Sequence, residues 1–180
     1  MTSGIIIFGA PGSGQTTIGS VLAQQLNYPH FDLDDYHWRW DTEIPYTIMR
    51  SAEERTEHLM SDILKQPNFV MSGSMWSIRK PFEPLFDFGV FVTVPAEIRA
   101  ERIKTRVRAR WGRRVLPGGD MYEANAMYRG DFLDVANAYG KEMHEQHKQW
   151  ISELPCPVLH IDGTLLIEES VAQIIERYSK

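Results

Sequence analysis

The chain has 180 residues with 43% hydrophobic and 24% charged content, the composition of an ordinary globular protein long enough to bury its own core. Its single cysteine, Cys156, excludes an intramolecular disulfide, and no run of about 18 apolar residues provides a membrane span. The net charge of −5 is unevenly spread: Arg99 to Arg114 holds eight basic residues and one acid, so this window is +7 and the remainder −12. That pattern fits a local anion site and argues against a long nucleic-acid track.

In chain order, Ile5 to Phe8 is predicted as a buried first strand, with too short an apolar run and no basic lead for a signal peptide. Ile18, Val21, Leu22 and Leu26 repeat at helical spacing, so a helix is expected from about Thr16. His30 to Leu33 forms a short second strand ending in Asp32, Asp34 and Asp35. Ser51 and Glu54 make a capping box for a helix whose apolar face is Leu59, Met60, Ile63 and Leu64. Phe69 to Met71 is a third strand and Val90 to Val94 a fourth. Pro95 then opens a helix bearing the basic window. Gly112 and Pro117-Gly118-Gly119 mark a mobile loop, followed by a long helical stretch from about Tyr122 to Glu153, with breaks expected at Gly130 and Gly140. Val158 to Ile161 is the last strand, and Ile167, Val171, Ile174, Ile175 and Tyr178 define a closing helix. Strands alternating with helices predict an α/β fold: three layers, a mostly parallel five-stranded sheet flanked by helices, and a helical lid over about 106–122, all in one domain spanning 1–180.

Between the first strand and first helix, Gly9-Ala10-Pro11-Gly12-Ser13-Gly14-Gln15-Thr16 matches G-x-x-x-x-G-K-[ST] at every position but the lysine. The pattern predicts a P-loop in which Gly9, Pro11 to Gln15, Thr16 and Thr17 bind the nucleotide, the backbone N–H groups of all but Pro11 gathering around phosphate at a helix N-terminus. Thr16 is placed to offer its hydroxyl to Mg²⁺. Gln15 has the reach of lysine without its charge, so nucleotide binding is expected to survive and catalysis to be weakened.

The turn Gly9 to Gly14 resembles the adenylate kinase form G-A-P-G-x-G-K. Val94-Pro95-Ala96-Glu97, followed by Arg102, Ile103 and Arg106, resembles the segment that opens the adenylate kinase lid. His160-Ile161-Asp162-Gly163-Thr164 resembles the loop that edges the adenine. The resemblance implies ATP as donor, Arg102 packed on adenine, Arg106 on phosphates, and Asp162, Gly163 and Thr164 beside the base. Asp34 to Trp38, Ser72 to Ser74 and Leu116 to Glu123 resemble a bacterial group of adenylate-kinase-like proteins and ATPases, which supplies no substrate. The adenylate kinase motif for the acceptor nucleotide is absent, so AMP is not the expected acceptor.

Arg102, Arg106 and Arg110 share one helix face, a spacing that suits a bridging anion; Arg99, Lys104 and Arg108 are expected to be solvated. Asp34 or Asp35 orients the acceptor proton, a role that resemblance to shikimate and gluconate kinases also implies; Asp34 is preferred because it would share a strand face with Asp32. Gln15, Arg106 and Arg110 complete the catalytic set. Tyr36, Trp38, Gly73, Ser74, Arg79 and Arg113, with Trp76, are expected around the acceptor. Six scattered histidines and one cysteine offer no zinc-like spacing.

The sequence therefore points to a cytoplasmic enzyme that moves the γ-phosphate of ATP, with Mg²⁺, to a small hydroxyl or phosphate acceptor. The alternative is a nucleotide-binding sensor of the same fold that no longer turns over, supported by Gln15. No nucleic-acid or membrane partner is expected.

Overall fold

The computed structural model describes residues 2–75, 77–124 and 132–179; Trp76 and Gly130, singled out above, lie outside them. Five strands form one sheet: β1 (Ser3–Gly9), β2 (His30–Asp32), β3 (Asn68–Ser72), β4 (Phe86–Thr93) and β5 (Val158–Asp162). Their order is β2-β3-β1-β4-β5 and every pairing is parallel. The helices are α1 (Gln15–Leu26), α2 (Leu33–His37), α3 (Ala52–Ile63), α4 (Ala96–Trp111), α5 (Asp120–Ala124), α6 (Phe132–Glu153) and α7 (Ile167–Tyr178).

A parallel sheet must be covered on both faces, and β1 shows why its sequence reads as an unbroken apolar run. Successive side chains point to opposite sides. Ile5 and Ile7 meet Ile18 and Leu22 of α1 and Val171 and Ile174 of α7. Ile6 and Phe8 meet Leu59 and Ile63 of α3 and Trp150 of α6. A third cluster, Ile103, Val107, Val115 and Met121, joins the far half of α4 to the segment after it.

Local chemistry sets most boundaries. The Ser51 side chain accepts from the Glu54 amide while Glu54 accepts from the Ser51 amide, the expected capping box. Asn27, at φ 55°, ends α1 in the left-handed conformation that asparagine tolerates. β4 begins earlier than expected, because a bulge opposite Gly4 and Ile5 sets Asp87 aside and lets Phe86 and Phe88 face opposite cores.

Three further expectations are corrected. Gly140 lies inside α6 without ending it. Residues 33–37 are a helix, with Asp32 as N-cap accepting the Asp34 amide at 3.1 Å, so Asp34 does not share a strand face with Asp32. The segment expected as an irregular loop holds regular structure: a 3₁₀ turn (Gly112–Val115), then α5, closed by Arg114, whose Nε and Nη2 donate to both Asp120 carboxylate oxygens at 3.0 and 2.7 Å. Among the described residues no helix is long and apolar enough to cross a membrane.

All five strands run the same way, so Gly9, Asp32, Ser72, Thr93 and Asp162 end at one edge. β1 lies between β3 and β4, where the strand order reverses, and open α/β sheets place ligands at that crevice.

Candidate active site

The turn between β1 and α1 folds as its glycines require. Ser13 N–H donates to the Ala10 carbonyl at 3.0 Å, and Gly14, at φ 98°, starts α1 without a capping side chain. The first amides of α1 are thereby left for an outside acceptor. Gly12, at φ 83°, rests on the first turn of α4: a Cβ there would come within 2.8 Å of the Arg99 carbonyl oxygen. Ser13 Oγ and Gln15 Oε1 are buried with no hydrogen-bond partner among the described residues. Thr16 is half-buried, while Thr17 stands exposed.

Arg99, expected in solvent, is 4% exposed. It donates to the carbonyls of Val94 at 3.0 Å, Pro11 at 3.4 Å and Ala136 at 3.0 Å. One guanidinium, a fork of five donors, thus joins the end of β4, the turn and α6. Sequence reasoning missed this role; the only signal was an arginine three residues into a helix whose neighbours were already assigned to solvent.

The other arginines of α4 span the crevice. Arg102 donates to the carbonyls of Ser13 at 3.4 Å and Gly163 at 3.0 Å, stitching the turn to the loop after β5. That loop approaches the turn closely: a Cβ on Gly163 would lie 2.7 Å from the Ser13 carbonyl oxygen. Asp162 accepts from the Thr164 amide at 2.9 Å and hydroxyl at 2.7 Å, which holds the loop in shape and draws the Asp162 carboxyl below its ordinary range. Arg106, one turn on, acts electrostatically on Asp34. Arg110, about 12 Å from Arg102 along the axis, donates to the Tyr46 hydroxyl at 2.9 Å.

Burial raises all three acids above the ordinary carboxylate range. For Asp32 the rise is opposed first by the Asp34 amide, and Thr16 also favours its charged form. For Asp34 it is opposed by Arg106 and Arg110, and Asp35 adds to it. Asp35 feels Asp32 next after burial. His30 Nε2 lies 2.9 Å from Ser72 Oγ, tying together the ends of β2 and β3; burial lowers its pKa. His30 was not anticipated, although its place two residues before Asp32 in one strand was a usable signal.

The expected acceptor residues divide. Gly73, whose amide donates to the Ile7 carbonyl at 3.0 Å, and Ser74 follow the end of β3 at the crevice. Trp38 opens an arm over 38–49, closed by an antiparallel bridge between Trp38 and Met49. Arg113 is exposed on the lid lobe. Tyr36 turns away, its hydroxyl donating to Asp62 of α3 at 2.9 Å. Arg79 is also elsewhere: 7% exposed, it donates to Glu83 at 2.8 Å and to Glu153 at 2.6 Å, with Glu153 held down to about 2 by Gln149, Arg79 and Lys80. Ala136 of α6 touches Arg99 at the crevice, and Glu153 lies about 25 Å further along that helix. Arg79 therefore pins the opposite edge of the sheet.

Beside the turn, a cavity of about 430 Å³ is lined by Ala10, Val92, Arg99, His144, His147 and Asp162. His147 is 3% exposed, packs on Phe8 and Phe91 with ring centroids 5.4 Å from each, and its Nε2 has no hydrogen-bond partner among the described residues. Burial, then the neighbouring His144, lowers its pKa from 6.5 to about 4. Between those values the unfolded chain holds the extra proton, so stability should fall as pH drops through the window, by up to about 3 kcal/mol. Thermal unfolding of the wild type should therefore lose more stability from about pH 6.5 to 4 than His147→Leu does. Equal slopes would show that His147 does not titrate in this range.

Residues 5–114 match the model of the AAA domain family. Over 184 aligned residues, covering 99% of each chain, the sequence is 32% identical to the uncharacterized protein YqaC of Bacillus subtilis (strain 168). It is 28% identical over 114 residues to a cytidylate kinase of Methanocaldococcus jannaschii, covering 57% of this chain and 63% of that one. The fold is similar to that of a deoxyadenosine kinase from M. mycoides with bound dATP, at a TM-score of 0.56 and 14% identity, over 99% of this chain and 100% of the other.

Proposed function

The chain belongs to the AAA-domain family, within the P-loop nucleotide and small-molecule kinases, and we propose that it transfers the γ-phosphate of ATP to a small-molecule or nucleotide acceptor in the cytoplasm. The observation that carries this reading is the meeting, at one sheet edge, of a helix-opening glycine turn, the half-buried Asp32 with Asp34 two residues on, and Arg106 and Arg110 acting electrostatically on Asp34. Retention of this arrangement is what phosphoryl transfer needs, since its catalysis is mostly positioning and charge stabilisation.

On this reading the turn amides from Gly9 to Thr17 hold the phosphates, and Arg102 with 162–164 frames the adenine. Thr16 and Asp32 fit Mg²⁺: both offer oxygen, the hard donor that ion prefers, and both are half-buried side chains at the same sheet edge. Bound there, Mg²⁺ would neutralise charge on the phosphates. Asp34 accepts or orients the acceptor proton, with Asp35 beside it. Arg106 faces the transferring group. Gly73, Ser74, Trp38 and, on lid closure, Arg113 border the acceptor.

Gln15 favours a second reading, a nucleotide sensor without turnover, because a neutral side chain stands where a lysine charge would serve catalysis. Calorimetry with Mg·ATP, followed by ADP release across nucleosides, nucleotides, sugars and hydroxy acids, separates the two. Saturable Mg·ATP binding with ADP release that depends on one acceptor class is expected. Binding with no acceptor-dependent release leaves the sensor, and no binding at all defeats both.

A further inference from the structure

We propose that Arg110 is a positioning residue that locks the acceptor-side arm onto the lid lobe, so that the two halves of the site close as one body. Its consequence for transfer rests on the kinase reading, whereas the lock itself is a property of the fold.

Arg110 sits at the centre of an aromatic box built from two distant parts of the chain. Its guanidinium carbon is 5.0 Å from the ring centre of Trp111 on its own helix. It is also 5.6 Å from Trp40 and 5.8 Å from Tyr46, both on the arm. Each distance is within cation–π range, and the Tyr46 hydroxyl accepts from Arg110 Nη1 at 2.9 Å. Tyr46 in turn stands edge-on to Trp40 at 5.0 Å and to Trp111 at 6.0 Å. A second tie lies alongside: Arg114 of the lid, already paired with Asp120, donates to the Glu43 carbonyl of the arm at 3.3 Å.

Backbone conformation supports the same reading. Tyr46 has φ 62°, a left-handed conformation unfavourable for a bulky side chain, which persists only where surrounding contacts impose it. Here the contacts come from both sides, Trp38 and Trp40 on the arm and Arg110 and Trp111 at the end of α4.

The arm is also rigidly joined to the acids. It leaves α2 directly after His37, and Arg50, at its base, donates to the carbonyls of Asp35 at 3.1 Å, Tyr36 and Trp38. A guanidinium with its donors at the end of a five-residue helix fixes how the arm departs from Asp34 and Asp35. Motion of the lid is thus passed through Arg110 and Tyr46 to the arm, and through Arg50 to the acceptor acids. Held in the box by three rings and a hydroxyl, Arg110 serves as the tie between these parts and not as a free cation for phosphate.

Hydrogen exchange of the full chain tests the lock without any turnover. Arg110→Ala should speed exchange about tenfold in both the arm (38–50) and the lid (112–122), leaving the β1 and β3 amides unchanged. Arg110→Lys keeps a cation for the rings but loses the planar stack, so it should loosen both segments by less than Arg110→Ala. Tyr46→Phe keeps every ring and removes one hydrogen bond, so it folds and should loosen the same two segments by a smaller factor, about threefold. If Arg110→Ala or Tyr46→Phe loosens only one segment, or neither, the lock is wrong. Given an active acceptor, Arg110→Ala should raise its KM about tenfold with kcat within about threefold. A loss confined to kcat, with exchange unchanged, would make Arg110 a catalytic residue instead. Absence of any acceptor defeats the kinase reading and leaves the exchange result to decide the lock.

Discussion

Gln15→Lys should raise the rate of phosphoryl transfer by about 10²–10³-fold, the largest gain available from one substitution. Position 15 is the first residue of α1 and follows the left-handed Gly14, so its side chain leaves the turn where phosphates would gather. Glutamine there offers neutral hydrogen bonds, worth about 0.5–1.5 kcal/mol, against about 1.5–3 for a charged donor. The difference should be felt most in the transition state, where charge shifts on the transferred group. Ground-state affinity for Mg·ATP should change less, because the turn amides and Thr16 are untouched. The substitution also removes the buried, unpartnered Gln15 Oε1, so it should not destabilise the fold. Steady-state kinetics on both forms, with the acceptor found in the panel, measure this. A lysine variant no faster than the wild type would show that the turn does not limit catalysis.

Asp34→Asn should lower kcat by about 10²–10⁴-fold while leaving Mg·ATP binding intact. Asparagine keeps the size and the helical position but cannot accept the acceptor proton. Asp32→Asn is the informative contrast: asparagine still caps α2, so the helix survives, and the expected effect is a higher Mg²⁺ requirement instead of a lost proton acceptor. The pH profile carries a signed check. Burial pushes the Asp34 carboxyl up and Arg106 opposes that rise. Activity should therefore fall on the acid side above the ordinary carboxylate range, and Arg106→Ala should move that limb to still higher pH. A Mg·ATP affinity lost along with kcat in Asp34→Asn would place Asp34 at the nucleotide or its metal.

Features legible in the sequence are those set by residues near one another in the chain. The glycine turn, the β-branched β1, the capping box of Ser51 and Glu54 and the apolar stripe of α7 each depend on local conformation or a short period. From them the parallel five-stranded sheet follows, because buried strands alternating with helices pack in few ways. The short helix α2 escaped notice since its start is signalled only by Asp32, which also fits a strand end.

Partners of long polar side chains were decided by tertiary structure alone. Arg99 and Arg102 stand three residues apart on one helix; one is buried among three backbone carbonyls, the other bridges two loops. Arg79 finds Glu153 across 74 positions, Tyr36 finds Asp62, and Arg110 finds Tyr46 across 64. A guanidinium on its flexible stem reaches whatever carbonyl, carboxylate or ring the fold brings within a few ångströms. The sheet, the turn and the acids at its edge were already written in the chain, because backbone geometry and apolar burial are encoded locally. Which arginines face the crevice and which hold the molecule together was settled only when distant elements met.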